Sequence, residues 1–237
     1  MVLLGTIVNT LAIMIGSILG NLFTKIPDRI KHTVTHGMAL VVVVLGLQMG
    51  LKSDQFLIVI GSLALGAVIG EGFELEEKLN RLGRFLERKV GNRGEGNIAS
   101  AFVTGTLVFV VGALAIVGAL DSGLRDDHSV LFTKAMLDGF FALIFSTTLG
   151  IGVIFSAIPV FLYEGAIALL ATKIETFVPQ PLMAQLINEL TATGGLLIVA
   201  IGLNLLNITK IRTANLLPSI VICILIVTGI FYLKPLI

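Results

Sequence analysis

The chain has no tryptophan, one cysteine, two tyrosines and little charge. Lysine, arginine, aspartate and glutamate make up 13% of its 237 residues, where a soluble domain carries about 25%. The lone Cys223 excludes an intramolecular disulfide and any cysteine-cluster metal site. A net charge of +1 gives no general attraction to nucleic acid. No basic stretch precedes the first apolar run and no clear small-x-small cleavage site follows it. That run is therefore expected to stay as a first span rather than be removed as a signal. A Gly-Lys-Ser/Thr phosphate loop, a His-Glu-x-x-His helix and a serine nucleophile elbow are all missing. The expectation is a protein that is not an enzyme and holds no cofactor and no metal.

What the chain has is hydrocarbon. Hydrophobic residues reach 56%, the mean hydropathy is +1.02, and apolar runs of span length recur along the sequence. The solvent these runs require is a bilayer, whose core takes about 20 helical residues per crossing. The fold expected is an all-α integral membrane protein, a single membrane domain over 1–237 with about eight transmembrane helices. The spans read as 3–23, 33–51, 56–70, 98–120, 130–149, 152–172, 183–206 and 214–233. Between the third and fourth, residues 73–90 alternate apolar and charged positions at helical spacing. They predict an amphipathic helix lying on the membrane surface, acting as a connector. The stretch Asp121 to Ser129 reads as a solvated loop, although Asp126, Asp127 and His128 have metal-ligand chemistry.

The central hairpin, residues 130–172, contains the most informative stretch. Leu131 to Thr172 is 42 residues long with only three charges, Lys134, Asp138 and Glu164. Its expected breakpoints are Gly150, Gly152 and Pro159, the last as a kink in the sixth span. A charge in hydrocarbon costs at least ~2.5 kcal/mol, so an intramembrane carboxylate points to function by default. Asp138 and Glu164 are thus the first candidates for a substrate, ion or proton site. Lys134 lies four residues before Asp138 and shares its helix face, so an ion pair near the interface is the structural alternative. Asn9, Gln48 and Asn204 are amides inside spans, able to line a cavity or bridge helices. Ser146 and Thr147 flank the glycine turn with Thr148 and Ser156. They can bind a cation or satisfy freed backbone groups. Glu71 and Glu189 read as interfacial.

A weak internal repeat relates halves 3–70 and 152–233. Gly16 aligns with Gly165, Ile26-Pro27 with Val178-Pro179, Gly46-Leu47-Gln48 with Gly202-Leu203-Asn204, and Ser62 with Ser219. Spans one to three then match spans six to eight. An offset of five spans is odd, which makes the repeat inverted, a transporter architecture with its site near the midplane. Basic residues divide 11 to 5 between the two sides, placing the N-terminus outside.

Several stretches together resemble DUF554, a family of bacterial multi-pass membrane proteins of unknown function. They are Gly5-Thr6-Ile7-Val8-Asn9-Thr10, Lys134-Ala135-Met136-Leu137-Asp138, Leu149-Gly150-Ile151 with Ser156 and Pro159, Gly194-Gly195 with Gly202-Leu203, and Asn215-Leu216-Leu217-Pro218. The resemblance covers nearly the whole chain. It implies a multi-pass protein of the bacterial inner membrane and no particular substrate. It also implies glutamine more often than glutamate at the place of Glu164.

The function these features predict is a small-solute or ion secondary transporter with a site near the central hairpin. An ion channel, or a non-transporting scaffold or signalling subunit, is the alternative. The expected partners are the lipid bilayer and a small solute or ion. The small-residue faces also allow a homodimer.

Overall fold

A computed structural model describes residues 1–22, 28–81 and 98–233. Every regular element among them is helical. In chain order they are α1 (Leu4–Leu22), α2 (Asp28–Gly50), α3 (Phe56–Gly72), α4 (Leu75–Arg81), α5 (Ile98–Val110), α6 (Ala113–Arg125) and α7 (Ser129–Leu149). A 3-10 segment over Ile151–Ser156 leads into α8 (Ala157–Phe177). α9 (Gln180–Leu205), a second 3-10 segment over Thr213–Leu216, and α10 (Pro218–Leu233) complete the series. Six stretches are long and apolar enough to cross a membrane as they stand. Two bent pairs, α3 with α4 and α5 with α6, raise the count to as many as eight. The protein is an all-helical, multi-pass membrane protein.

Three expectations need correcting. The break in the central run is at Gly150, whose φ of 87° is open to glycine, and in the six-residue 3-10 segment after it. Pro159 makes no kink. It sits in the first turn of α8, where its missing N–H is one the helix leaves unpaired anyway. The polar loop after the fourth span is also shorter than expected. α6 continues through Asp121 to Arg125, which pair at 3.0 Å one helical turn apart. Thirdly, the expected amphipathic helix does not start at Phe73. Phe73 and Glu74 form a turn, with Glu74 at φ 51°, before α4 begins. Its remaining residues, 82–90, and residues 25–27 of the expected basic loop lie outside the described residues.

The chain divides into two compact units. The first comprises Met1–Met38, Leu79–Val110 and Leu114–Ile174. In it α1 packs along α7 with almost no side chain between the backbones. A β-carbon built on Gly16 would fall 2.2 Å from the carbonyl oxygen of Gly139. α6 meets α8 in the same way, at Gly123 and the Ala168 carbonyl. Lipid is as apolar as leucine, so helices here are held by close van der Waals contact, which small residues permit.

The second unit comprises Ala39–Lys78, Val111–Ala113 and Glu175–Ile237. Here α2 and α9 cross antiparallel through matched contacts. Gly46 meets the Gly195 carbonyl and the Val199 amide nitrogen, and Gly202 meets the Ala39 carbonyl and the Val43 amide nitrogen. One shift of numbering carries Ala39, Val43 and Gly46 onto Gly195, Val199 and Gly202. A second pair behaves alike. The buried positions Ile58, Ser62, Gly66 and Gly70 of α3 shift together onto the buried Asn215, Ser219, Cys223 and Val227. Gly66 packs on Ser219 and Gly70 on Asn215. In the shifted positions, Cys223 interacts with Ser62, and Val227 shares a core cluster with Ile58.

Candidate functional site

Three helices of the first unit turn polar positions inward. The buried face of α1 runs through Gly5, Thr6, Asn9, Ile13 and Gly16. That of α7 runs through Leu131, Lys134, Ala135, Asp138 and Ala142, and that of α8 through Val160, Glu164, Ala168 and Ala171. The spacing of three and four is that of a helix stripe. Asn9, Lys134, Asp138 and Glu164 therefore meet. Asn9 and Glu164 are wholly buried, and Lys134 and Asp138 are exposed by only 5% and 6%.

Five N–H donors hold this cluster together. The Asn9 amide donates to Asp138 Oδ2 at 3.1 Å and to Glu164 Oε1 at 2.8 Å. The Lys134 ammonium hydrogen-bonds Asp138 Oδ2 and lies 3.3 Å from Glu164 Oε1. It also donates to the Phe109 carbonyl oxygen at 2.7 Å. Three acceptors around one nitrogen match the three hydrogens of a charged ammonium. Phe109 stands in the last turn of α5, where carbonyls have no partner within the helix and the helix dipole is negative. α5 stops because the chain turns at Gly112, with φ 144°, and α6 leaves at 59°. Lys134 thus caps a helix that ends inside the protein.

The charges do not balance. At 3.3 Å and an effective dielectric near 20, one ion pair attracts by about 5 kcal/mol. That offsets the several kcal/mol each ion loses on leaving water. One ammonium serves two carboxylates here, so a charge of −1 is left when both are ionised. The oxygens without hydrogen-bond partners point the same way. Glu164 Oε2 and Asn9 Oδ1 are buried and accept nothing. The Thr6 hydroxyl, one turn from Asn9 on the same face, is also unpartnered. The arrangement can hold a proton or another positive group.

The structure brings together Asn9, Asp138 and Glu164 of the residues singled out from sequence, and adds Lys134 to them. The interfacial ion pair considered for Lys134 and Asp138 is replaced by a buried one. The others lie elsewhere. Ser146 is buried two turns further along α7, its hydroxyl without a partner. Thr147 bonds the Ile144 carbonyl of its own helix at 2.7 Å. Gln48 is exposed on α2. Asn204 closes a loop, accepting from the Thr209 hydroxyl and the Ile211 amide and donating to the Ile211 carbonyl. Both amides belong to the second unit.

Glu189, read as interfacial, is tied to the connection between α2 and α3. It is 2% exposed and accepts from the Ser53 hydroxyl at 2.6 Å and from the Asp54 and Gln55 amides at 3.0 Å. A carboxylate from α9 thus satisfies the unpaired amides that begin α3. Glu71 bonds Arg212 and Asn215. Outside the spans, Asp126 pairs with the N-terminal ammonium at 2.9 Å, which holds its carboxyl below the ordinary 3.8. Asp127 accepts the Ser129 amide at 3.0 Å, with the same effect on its own carboxyl.

Comparison with known proteins bears on all of this. The pattern of the family described as a protein of unknown function, DUF554, matches residues 4–228. The chain belongs to the DUF554 family. A relative in Bacillus subtilis (strain 168), named the uncharacterized membrane protein YdfK, is 35% identical over 223 residues, covering 92% of this chain and 93% of the relative. The uncharacterized protein YqgA of Escherichia coli (strain K12) is 29% identical over 227 residues, covering 92% and 94%. No solved structure matches. This DUF554 chain therefore shares most of its length with bacterial relatives, and the cluster around Asp138 lies inside the matched region.

Proposed function

We propose that this DUF554 protein is a small secondary transporter for an ion or small solute, acting without enzymatic chemistry in the bacterial inner membrane. The cluster of Asn9, Lys134, Asp138 and Glu164 forms its site. The observation that carries the reading is a Lys–Asp–Glu set buried among helices of span length. Polar and ionisable groups in such segments are costly and mark ion, proton or substrate pathways. The interrupted α5 and the 3-10 break before α8 add support, because discontinuous helices surround the sites of many transporters.

The matched contacts of α2 with α9, and of α3 with α10, support an inverted repeat. Antiparallel helices whose buried positions exchange under one shift of numbering are what such a repeat predicts. In this reading the N-terminus lies outside and the bilayer is the permanent partner. A second copy of the chain is a further partner, which particle size in detergent tests.

The test is solute flux into proteoliposomes over a panel of cations and small anions, comparing the wild type with Asp138→Asn and Glu164→Gln. Flux that is lost in folded variants supports the site. No flux of any solute by well-folded protein overturns transport in favour of a scaffold or signalling subunit. Flux at channel rates through an open water path favours an ion channel.

A further inference from the structure

We propose that Glu164 carries an exchangeable proton on Oε2, and that this proton is the coupling ion. The second half of the proposal rests on the transport reading above; the first half stands without it.

The argument starts from the donors. Lys134 is held as an ammonium by three acceptors, and all five N–H groups of Lys134 and Asn9 are directed at Asp138 Oδ2, Glu164 Oε1 and the Phe109 carbonyl. No donor remains for Glu164 Oε2 or for Asn9 Oδ1, both fully buried. A buried acceptor without a partner costs about 1–3 kcal/mol, more when charged. What the cluster lacks is one positive charge. A proton on Oε2 supplies it. It neutralises the surplus carboxylate, and a buried neutral carboxyl costs far less than an unpaired buried charge.

The groups facing Glu164 define the site. From α7 come Asp138, which disfavours a second negative charge, and the Lys134 ammonium, which favours it. From α1 comes the neutral Asn9. From α5 comes the carbonyl of Phe109, through Lys134. Tyr163 is its neighbour on α8. α6 also packs on α8, at Gly123, but its Asp121 and Arg125 pair with each other. Glu164, not Asp138, takes the proton: each carboxylate has one oxygen that faces both Lys134 and Asn9, but Glu164 is wholly buried with Oε2 unpartnered, whereas Asp138 keeps 6% exposure. Releasing the proton leaves two carboxylates around one ammonium. The cluster can then take back a proton or pull Lys134 away from the Phe109 carbonyl. That rearrangement would tie the protonation state to the broken end of α5.

Infrared difference spectroscopy of the protein in lipid nanodiscs, titrated with pH, tests the proton directly. The protonated-carboxyl stretch should be present at low pH and fade as pH rises. It should shift when glutamate is labelled with carbon-13 in the wild-type protein, and vanish in Glu164→Gln but persist in Glu189→Gln. The labelled wild type decides the matter even if a variant fails to fold. Absence of a glutamate band at every pH overturns the proposal, as does a band that never titrates. Sodium or lithium perturbing ionised carboxylates with no protonated band also overturns it, by assigning the missing charge to an alkali cation. For coupling, a pH gradient should drive solute accumulation in proteoliposomes of the wild type and not of Glu164→Gln. A titrating band with no flux of any solute would keep the proton site and reject the transport reading. Flux with no response to a pH gradient would reject coupling alone.

Discussion

Gly16 faces Gly139 so closely that any β-carbon on Gly16 would sit 2.2 Å from a backbone oxygen. This contact holds α1 against α7 and so fixes Asn9, two turns away, beside Asp138. Gly16→Ala should therefore separate the helices and cost about 1–3 kcal/mol, the range for overfilled packing. Gly37→Ala provides the contrast. Nothing lies within 4 Å of its added carbon, and alanine is the better helix former by about 1 kcal/mol. Thermal unfolding in detergent should show a lower midpoint for the first variant and an equal or higher one for the second.

Lys134→Met removes the cation of the buried cluster. Breaking a buried pair by deleting one partner costs about 3–5 kcal/mol. Adding Glu164→Gln to Lys134→Met removes one of the two carboxyl groups that lost their cation, so the double variant should be more stable than the two single losses predict. Residues in one such network couple by about 0.5–3 kcal/mol. A double-mutant cycle from unfolding midpoints reads the term, and strict additivity would mean that Lys134 and Glu164 do not interact.

Glu189→Ala leaves the Asp54 amide without its acceptor and the Gln55 amide with the Ser53 hydroxyl alone. Hydrogen bonds to a charged group are worth about 1.5–3 kcal/mol, and the loss should be local. Hydrogen exchange should quicken at residues 54–58, the first turn of α3, while the α1–α7 contact keeps its protection. Glu189→Gln, which retains an acceptor oxygen, should be the milder change.

The first turn of α7 should respond to acid. The Ser129 amide, hydrogen-bonded to Asp127, holds that carboxyl below the ordinary 3.8. A depressed carboxylate contributes its full stabilisation above 3.8 and loses it as pH falls through the lower folded value. The protection factors of the amides at the start of α7, taken relative to intrinsic exchange at each pH, should fall in that acid window and be nearly flat above it. Asp127→Asn should abolish the step.

Much of the site was legible because polar atoms are conspicuous in hydrocarbon. Asp138 and Glu164 are the only acids in a run of 42 residues, and their burial follows from the cost of exposing charge to lipid. Lys134 was legible as a partner from its spacing alone. The Phe109 carbonyl was not, since every residue has one and only the break at Gly112 makes this one available. The environments of Gln48 and Asn204 were not legible. An amide within a span looks the same in sequence whether it lines a cavity, faces outward or closes a loop. The role of Glu189 at the start of α3 was not legible. Its partners are mostly backbone amides, which leave no mark in composition. The repeat pattern drew on glycines, and the α2–α9 contact shows why those positions tolerate so little else.

Asp138 and Lys134 stand four residues apart on one helix, and this bears on how the chain is built. α7 carries its own counter-ion, so it can leave the translocon as an internally neutral segment before any neighbour has arrived. α8 has no such provision, because Glu164 depends on side chains from α1 and α7. α1 contains no acidic or basic residue among its 19 and can enter lipid early and wait. The last of the three helices to be synthesised is thus the one that needs the other two, and the order of synthesis delivers it to partners already in place.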